Sequence, residues 1–372
     1  MLNRIHYKKK ELTAYLMFIF LYLINISFVY MYDSIPSYIL CVIFFLICCL
    51  SALTYNNKFY IYLLLISAFL ILSSLFSQST EYGLFKLNVG LLLPMSLVAL
   101  LIPFKNNNEE IFKISFVHLI VLLDVITVFI KIKTGFFSRA DNFALFGPIT
   151  FGWLNSYLFV ILLNRKSNKI NILLLFFSFL MIIWSGSKGP FIVVVLLFLY
   201  KFKNILKLNF KSLFFVLTAL FSIIYFLYLN YSEFRILSTF VELNTNSNYL
   251  DEGGSGSFGS RIDFWIDSLN IWKDNFFIGI GFGNWENLGL GHRYPHNILM
   301  ELLSETGFLL TFALIIIFYL NRKNYYSLLF FTGLICQFFS GDFSYFRYYL
   351  FFFLIGTFTT KKNENCKIIK KQ

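Results

Sequence analysis

The sequence predicts an all-α, polytopic integral membrane protein, and three observations carry this prediction. Hydrophobic residues make up 58% of the 372 residues and charged residues only 13%, whereas a soluble domain carries about 25% charged residues. The chain also holds 50 phenylalanines, more apolar surface than a soluble fold of this length can bury. Finally, the apolar residues fall into long runs that are typical of membrane-spanning helices.

The composition also excludes several other classes of protein. A disordered chain is excluded because so much apolar surface favours burial. The net charge of +12 would suggest nucleic acid binding in a soluble protein, but in a membrane protein it indicates loops beside anionic lipid. We therefore expect membrane lipids as partners and no nucleic acid. The five cysteines have no spacing typical of a disulfide framework or a zinc site.

The hydropathy pattern predicts about twelve spans in a single transmembrane domain over residues 1–372. The first apolar run is too long for a signal peptide and lacks a cleavage site, so we expect it to be retained as a span. The seventh and eighth spans are the shortest. The predicted spans are 12–32, 36–54, 59–77, 84–103, 112–131, 143–163, 170–184, 190–203, 211–230, 297–320, 325–341 and 346–360.

The basic residues orient these spans. With twelve spans, the two tails, the even-numbered connections and the span ends that adjoin them hold 21 of the 31 Lys and Arg residues and four of the 19 acids. Cytoplasmic loops are enriched in Lys and Arg. This register therefore predicts that both termini are cytoplasmic.

One connection, residues 231–295, is far longer than the others and lies on the predicted outer face. A long polar loop in a compact protein is usually functional or disordered. It contains a glycine- and serine-rich hinge at 251–257, followed by apolar residues at helical spacing over 261–272. This second segment predicts an amphipathic helix at the membrane interface. An interfacial helix without any chemistry remains the alternative.

The end of this loop carries the strongest candidates for catalysis. His296 lies where the loop meets the tenth span, and an imidazole there can accept a proton near neutral pH. Asn297, Glu301 and Glu305 follow at intervals of four, so they share one helix face. Carboxylates inside a span are costly, which favours a function. The alternatives are that His296 only caps the helix and that the carboxylates only complement its dipole.

Metal and cofactor sites are not expected. His292 and His296 form an H-x₃-H pair, but Pro295 opposes a regular helix turn and no third ligand is near. The glycines of 279–284 lack the surrounding βαβ unit of a dinucleotide site, so we expect them to let the backbone turn tightly or approach a ligand.

Four cations on the predicted outer face oppose the positive-inside trend and therefore suggest an anionic ligand. Pairing with a nearby acid is the alternative; the available acids are Asp141, Asp263 and Asp267. Asp124, deep in the fifth span, also needs a partner. The four cations are Arg139, Lys188, Arg261 and Arg293.

These pieces, in this order, resemble the bacterial O-antigen polymerase and O-antigen ligase superfamily. The matching stretches are Ser185–Pro190, Gly259-Ser260-Arg261, the glycine-rich segment Asn275–Asn284, and His296-Asn297 followed by Glu305-Thr306-Gly307. The resemblance is concentrated in residues 259–310. Lys188 stands where the family has Arg, and Lys binds phosphate as a point charge without the bidentate fork.

The resemblance implies a GT-C-like membrane fold and a polyprenyl-pyrophosphate-linked oligosaccharide as donor. It also implies inverting, metal-independent glycosyl transfer, without a cofactor, on the outer face of the bacterial plasma (inner) membrane. His296, or else Glu305 or Glu301, would be the base. Arg261 would grip the pyrophosphate, supported by Arg139, Lys188 and Arg293, and Asn297 and Asp263 would support the site.

The sequence is compatible with three functions. A polysaccharide polymerase is favoured because the chain is short and that class is the more diverse; a chain-length regulator is then a candidate partner. An O-antigen ligase, which transfers the glycan to lipid A core, shares the donor and the chemistry. A lipid-linked oligosaccharide flippase is the alternative from another class. Transporters concentrate polar groups at the midplane and show internal repeats, and no repeat is evident here.

Overall fold

The computed structural model describes most of the chain, and its regular secondary structure there is helical. The helices are α1 Leu2–Ser27, α2 Ser37–Tyr55, α3 Lys58–Leu75, α4 Thr80–Leu87, α5 Leu93–Leu101, α6 Glu109–Thr134, α7 Pro148–Leu163, α8 Lys169–Ser185, α9 Lys188–Ile205, α10 Phe258–Asp274, α11 Ile298–Leu320, α12 Ser327–Gln337 and α13 Arg347–Ile369. The described residues are 2–29, 35–104, 109–135, 143, 147–165, 168–205, 258–322 and 326–369.

Five helical segments are long and apolar enough to cross a membrane: Ser37–Tyr55, Lys58–Leu75, Thr80–Phe104, Glu110–Thr134 and Ile298–Leu320. They make the chain a multi-pass membrane protein. Each of the other predicted spans coincides with a shorter apolar helix or with part of a helix, except the ninth, 211–230, which lies outside the described residues. The count of twelve spans therefore stays a prediction.

The eleventh predicted span is shorter than the hydropathy indicated. Helix α12 has 11 residues, where about 20 are needed to cross the hydrocarbon core. Gln337 ends the helix and donates its side-chain amide to the carbonyl of Asp342. Gly341 has a φ of 91°, a left-handed conformation that turns the chain before α13 begins.

The chain folds into two compact units, one of residues 1–119 and 261–372 and the other of residues 120–260. The first unit contains α1–α5, the start of α6 and most of α10–α13, and aromatic rings fill its core. Phe318 stacks on Phe330 with ring centroids 4.3 Å apart, and residues 348–355 are all buried. The phenylalanine-rich composition thus builds helix–helix contacts.

Within the first unit, α4 and α5 form one continuous, deeply buried segment. The turn that joins them, Asn88–Leu92, is π-helical, a distortion found frequently at functional sites. The Asn88 side chain donates to the carbonyl of Ser37 at 2.8 Å. Gly90 lies against the backbone of Phe343, where a Cβ would overlap the carbonyl oxygen. The π-helical turn is thereby held against the start of α2 and the turn before α13.

The second unit contains the rest of α6 with α7, α8 and α9. Asp124, which the sequence left without a partner, accepts a hydrogen bond from the Asn155 amide at 2.9 Å and is fully buried. Lys131, two turns further along α6, lies over the ring of Phe143 at 4.3 Å. The partner of Asp124 is therefore an amide on the neighbouring helix α7.

Candidate functional site

Helix α10 places Arg261 one turn from its start. Phe264 and Ser268 are buried on one face of this helix, whereas Ile262 and Ile266 are exposed. The predicted amphipathic helix over 261–272 therefore exists, inside Phe258–Asp274. The Arg261 guanidinium donates from Nη1 to the carbonyl of Phe339, which links α10 to the turn after α12.

His296 and Asn297 form the entry to helix α11. Asn297 is the N-cap: its side chain accepts hydrogen bonds from the backbone N–H groups of Leu299 and Met300 at 3.0 and 3.3 Å. His296 has a φ of 57°, the left-handed region that is uncommon for a residue with a side chain. The capping role that one interpretation gave to His296 thus belongs to Asn297, and the imidazole is available for other contacts.

The imidazole of His296 sits among aromatic rings. Its centroid lies 4.5 Å from that of Tyr294, 5.5 Å from that of His292 and 6.4 Å from that of Phe264. Nδ1 is buried and has no hydrogen-bond partner among the described residues. Burial, the Arg261 charge and His292 together lower the pKa of His296 to about 4, so the ring is neutral at pH 7.

Both candidate carboxylates of α11 meet a single lysine from α4. Lys86 Nζ lies 2.6 Å from Glu301 Oε1 and 2.6 Å from Glu305 Oε2, and all three side chains are fully buried. The sequence predicted that the two acids share one helix face, and Lys86 touches both. Both carboxylates are thus held in a buried ion pair with the same lysine.

Glu305 also accepts hydrogen bonds from the glycine-rich segment. The backbone N–H of Gly283 donates to Oε2 at 2.9 Å and that of Trp285 donates to Oε1 at 3.3 Å. With Lys86, both oxygens of this carboxylate have donors. Glu301 differs, because its Oε2 is buried without a hydrogen-bond partner among the described residues.

The glycine-rich segment packs into a break in helix α11. Gly307, with φ 67° and ψ −172°, interrupts the helix. The carbonyls freed at this break accept hydrogen bonds from two backbone N–H groups: Ile280 donates to Ser304 at 2.9 Å and Gly281 to Glu305 at 3.0 Å. On the other side of the break, Phe308 donates to the carbonyl of Phe276 at 2.8 Å.

Close backbone approach explains two of the glycines here. A Cβ on Gly307 would overlap the backbone of Phe277, and a Cβ on Gly283 would lie 2.5 Å from the backbone of Gly83. The segment 276–283 thus contacts α11 on one side and α4 on the other through backbone atoms. The sequence allowed either a tight turn or an approach to a ligand, and the structure shows that the approach is to other backbone.

A further acid joins the cluster from the turn between α12 and α13. The Tyr82 hydroxyl donates to Asp342 Oδ2 at 2.9 Å. Asp342 is buried, and its other oxygen accepts from the backbone N–H of Ser344 at 3.0 Å. Lys86 Nζ lies 5.1 Å from the centroid of the Tyr82 ring. Three carboxylates, Glu301, Glu305 and Asp342, are therefore gathered around one ammonium and one phenol.

A polar cavity of about 840 Å³ lies against this cluster and includes Tyr82 in its lining. Arg293, a predicted pyrophosphate ligand, lies at this cavity, where its Nε is 3.1 Å from Glu286 Oε1. The Arg293 side chain is 72% exposed. Its partner is thus a glutamate earlier in the same loop, an acid that the sequence-based interpretation had not considered.

The remaining predicted residues are placed as follows. Asp263 is exposed on α10, where its carboxylate faces away from the buried face. Lys188 begins α9 in the second unit and is half-buried, just after the left-handed Gly186. Arg139 and residues 231–257 of the long loop lie outside the described residues.

Sequence reasoning missed Lys86, Tyr82 and Asp342. A signal for Lys86 was present, because it lies inside the predicted span 84–103 and an ionisable residue within a span indicates a functional site. Tyr82 and Asp342 gave no such signal, because both lie in connections where polar residues are ordinary.

A model of the O-antigen ligase family matches residues 173–315. The match runs from α8 through most of α11, and it contains Lys188, Arg261, His296, Glu301 and Glu305. It confirms the resemblance to the O-antigen ligase and polymerase superfamily that the motifs indicated, over about the middle two fifths of the chain. A search of curated proteins gives no match.

Proposed function

We propose that this chain belongs to the O-antigen ligase and polymerase superfamily and acts as a polysaccharide polymerase. It would transfer a growing glycan from its polyprenyl pyrophosphate to the free end of the next lipid-linked repeat unit, at the outer face of the bacterial plasma membrane. The observation that carries the proposal is a neutral, half-buried imidazole at the start of a membrane-crossing helix, with an arginine close enough to lower its pKa.

His296 is the proposed general base. A hydroxyl of the acceptor sugar attacks the anomeric carbon of the donor from the face opposite the pyrophosphate, and the imidazole takes the hydroxyl proton. The bond from the anomeric carbon to the pyrophosphate oxygen breaks, and polyprenyl pyrophosphate leaves with the electron pair. Attack from the opposite face inverts the anomeric configuration.

Arg261 is the proposed ligand of the leaving pyrophosphate. A guanidinium forms bidentate, charge-assisted hydrogen bonds with phosphate oxygens, and it stabilises the charge that develops as the donor bond breaks. Donor binding also tunes the base. The Arg261 charge helps to lower the pKa of free His296, and a bound pyrophosphate offsets that charge, which raises the basicity of the imidazole when the substrate is in place.

Lys188 and Arg139 remain proposed supports for the pyrophosphate. Lys188 would act as a point charge, in keeping with its position beside the Ser185–Pro190 turn that resembles the family motif. Both assignments rest on the charge pattern and on the resemblance.

Glu305 and Glu301 are better suited to positioning than to proton transfer. Both oxygens of Glu305 have donors, namely Lys86 and two backbone N–H groups, so a proton acceptor role would require that network to open. We propose that Glu305 joins α11 to the glycine-rich segment and thereby fixes the loop that carries His296. Asn297 supports the same loop as the helix cap.

A ligase is the second candidate, favoured by the description of the matching family model as O-antigen ligase. The donor chemistry would be unchanged and only the acceptor, lipid A core, would differ. The flippase alternative is less favoured, because Glu301 is the fourth residue of α11, about 6 Å along a helix from its start. The cluster therefore lies towards one end of the spans, whereas transporters place such groups at the midplane.

Deletion of the gene separates these functions. A missing polymerase should leave surface lipid with at most one repeat unit, whereas a missing ligase should leave long chains on the polyprenyl carrier. A missing flippase should trap single repeat units at the cytoplasmic face. Unaltered surface glycan in the deletion strain contradicts both transferase functions.

A further inference from the structure

The cavity beside the charged cluster is a built polar site that the proposed chemistry has not used. It has a volume of about 840 Å³, within the roughly 300–1,000 Å³ typical of small-ligand sites. Three segments that are distant in sequence line it: the start of α2, the start of α4 and the loop before α11. Six of its lining residues are Ser79, Thr80, Glu81, Tyr82, Glu286 and Arg293.

These three segments belong to the same predicted face of the membrane. Residues 33–35, 78–83 and 231–296 are connections between odd- and even-numbered spans, which the distribution of Lys and Arg places outside. His296 lies in the third of them. Arg293 is three residues before His296, so at most about 11 Å of extended chain separates them. The backbone of one lining residue therefore lies within about 11 Å of the backbone of the proposed base.

An aromatic platform forms one wall of the cavity. Tyr82 and Phe85 both line it, and their rings are nearly parallel, with an interplanar angle of 15° and centroids 6.1 Å apart. The Tyr82 side chain is held in place, because its hydroxyl donates a hydrogen bond to buried Asp342 at 2.9 Å. A ring held this way loses little side-chain entropy when a ligand binds against it. Sugar rings pack their C–H faces on such aromatic surfaces.

The charges of the cavity define which ligands it accepts. Glu81 is exposed at the cavity, and Glu286 is paired with Arg293 at 3.1 Å. The two carboxylates and one already paired guanidinium leave a net negative charge. Carboxylates accept hydrogen bonds from sugar hydroxyls and ammonium groups, whereas a pyrophosphate or a uronic acid would be repelled.

We propose that this cavity binds the acceptor end of the lipid-linked repeat unit, and that the sugar bound there is neutral or amino-substituted and not acidic. The proposal rests on the proposed glycosyl transfer and separates two subsites: Arg261 holds the donor pyrophosphate, and the Tyr82 cavity holds the acceptor glycan. Arg293 then belongs to the acceptor subsite, through its pair with Glu286.

A thiol-protection assay tests this without requiring catalysis. Thr80→Cys places a thiol in the cavity, and Asp274→Cys places one on the exposed end of α10, away from the cavity, as the matched control. Each is treated with a membrane-impermeant maleimide, and labelling of the unmodified chain is subtracted. The probe is the repeat-unit oligosaccharide released by mild acid from lipid extracts of the deletion strain.

The free oligosaccharide should slow labelling at Thr80→Cys at least fivefold and leave Asp274→Cys unchanged. Tyr82→Ala in the Thr80→Cys background should raise the oligosaccharide concentration needed for protection at least tenfold, whereas Tyr82→Phe, which keeps the ring, should raise it less than threefold. An oligogalacturonide of similar length should protect at least tenfold less well.

Equal labelling of Thr80→Cys with and without oligosaccharide overturns the acceptor subsite. Equal protection by the oligogalacturonide overturns the assignment to neutral or amino sugars. Because labelling does not depend on turnover, a protected but catalytically inactive protein contradicts the proposed function and leaves the cavity assignment standing. If the oligosaccharide does not protect Thr80→Cys but the protein polymerises normally, the cavity assignment is contradicted and the proposed function stands.

Discussion

Lys86 Nζ lies 2.6 Å from Glu305 Oε2, although 219 positions separate the two residues in sequence. This buried pair joins α4 to the second turn of α11, and the same ammonium also reaches Glu301. Glu305 in turn holds the backbone of Gly283 and Trp285. The position of the loop that carries His296 therefore depends on a charge in a distant helix.

Lys86→Met should destabilise the protein strongly. It leaves two buried carboxylates without their cation, and breaking a buried ion pair costs about 3–5 kcal/mol. The melting temperature in detergent should fall by several degrees, and the addition of Glu301→Gln and Glu305→Gln should restore part of it. Lys273→Met, at an exposed lysine of α10, is the control, because surface substitutions usually change stability by no more than about 0.5 kcal/mol. Equal melting temperatures for Lys86→Met and the unmodified protein would contradict this account.

Most helices were predictable, because a run of apolar residues is a local property of the sequence. The kink in α11 was not. Glu305-Thr306-Gly307 lies inside a hydrophobic run that indicates one straight helix, and the break is stabilised by backbone hydrogen bonds from residues 276–281. The Lys86 pairing was hidden for the same reason: hydropathy assigns each span but does not say which spans touch.

The candidate site also has one part that local sequence predicts and one part that it does not. His296, Asn297 and the shared face of Glu301 and Glu305 follow from local order along the chain. The pairing of Arg293 with Glu286 and the contact of Tyr82 with Asp342 depend on how loops fold over the helix ends. Such loop contacts determine whether a cation such as Arg293 is paired with a ligand or with another residue of the chain.

The predicted orientation has a direct test by labelling. Ser255→Cys lies in the outer loop of the twelve-span arrangement, and an impermeant maleimide should label it in intact spheroplasts. Lys361→Cys, in the predicted cytoplasmic tail, should be labelled only after lysis. The reverse pattern would invert the topology and place the proposed chemistry on the wrong side of the membrane.

Arg261→Ala should abolish glycan polymerisation while the protein is still expressed, because the guanidinium is the proposed ligand of the leaving pyrophosphate. Arg261→Lys should recover only part of the activity, since the planar fork is lost. Arg322→Ala is a matched control: this arginine also donates to a carbonyl, that of Tyr319, but at the far end of α11. Full polymerisation by Arg261→Ala, read from the glycan ladder, would remove Arg261 from the site.

Chelators should not inhibit polymerisation, because the proposed charge stabilisation comes from the arginine.

The lowered pKa of His296 predicts the pH dependence of the reaction. The free protein holds this imidazole neutral above about pH 4, and kcat/KM reports the free enzyme. It should therefore be nearly constant from about pH 5 to 7 and fall about tenfold per pH unit below 4. His292→Asn should move this acid limb upward, because His292 contributes to the lowering. An acid limb centred near 6.5 would show that burial and Arg261 do not act on the base as described.

The same pKa has a consequence for stability. An unfolded histidine titrates near 6.5, so between that pH and about 4 the unfolded chain binds more protons than the folded one. The stability that a neutral His296 provides is therefore complete above pH 6.5 and declines as the pH falls towards 4. His296→Asn should flatten this part of the stability profile, a readout that is independent of turnover.

His296→Asn is also the sharpest test of the base assignment. Asn adopts the left-handed conformation more readily than most residues, so the φ of 57° at this position and the cap made by Asn297 should both persist. We expect normal expression, retained binding of lipid-linked donor and a loss in kcat of about 100-fold or more, since general-base catalysis contributes on that order. His292→Asn, a similar change in a neighbouring ring, should keep most of the activity at pH 7. Long glycan chains made by His296→Asn would rule out the base and return Glu305 and Glu301 to consideration, despite the network that holds them.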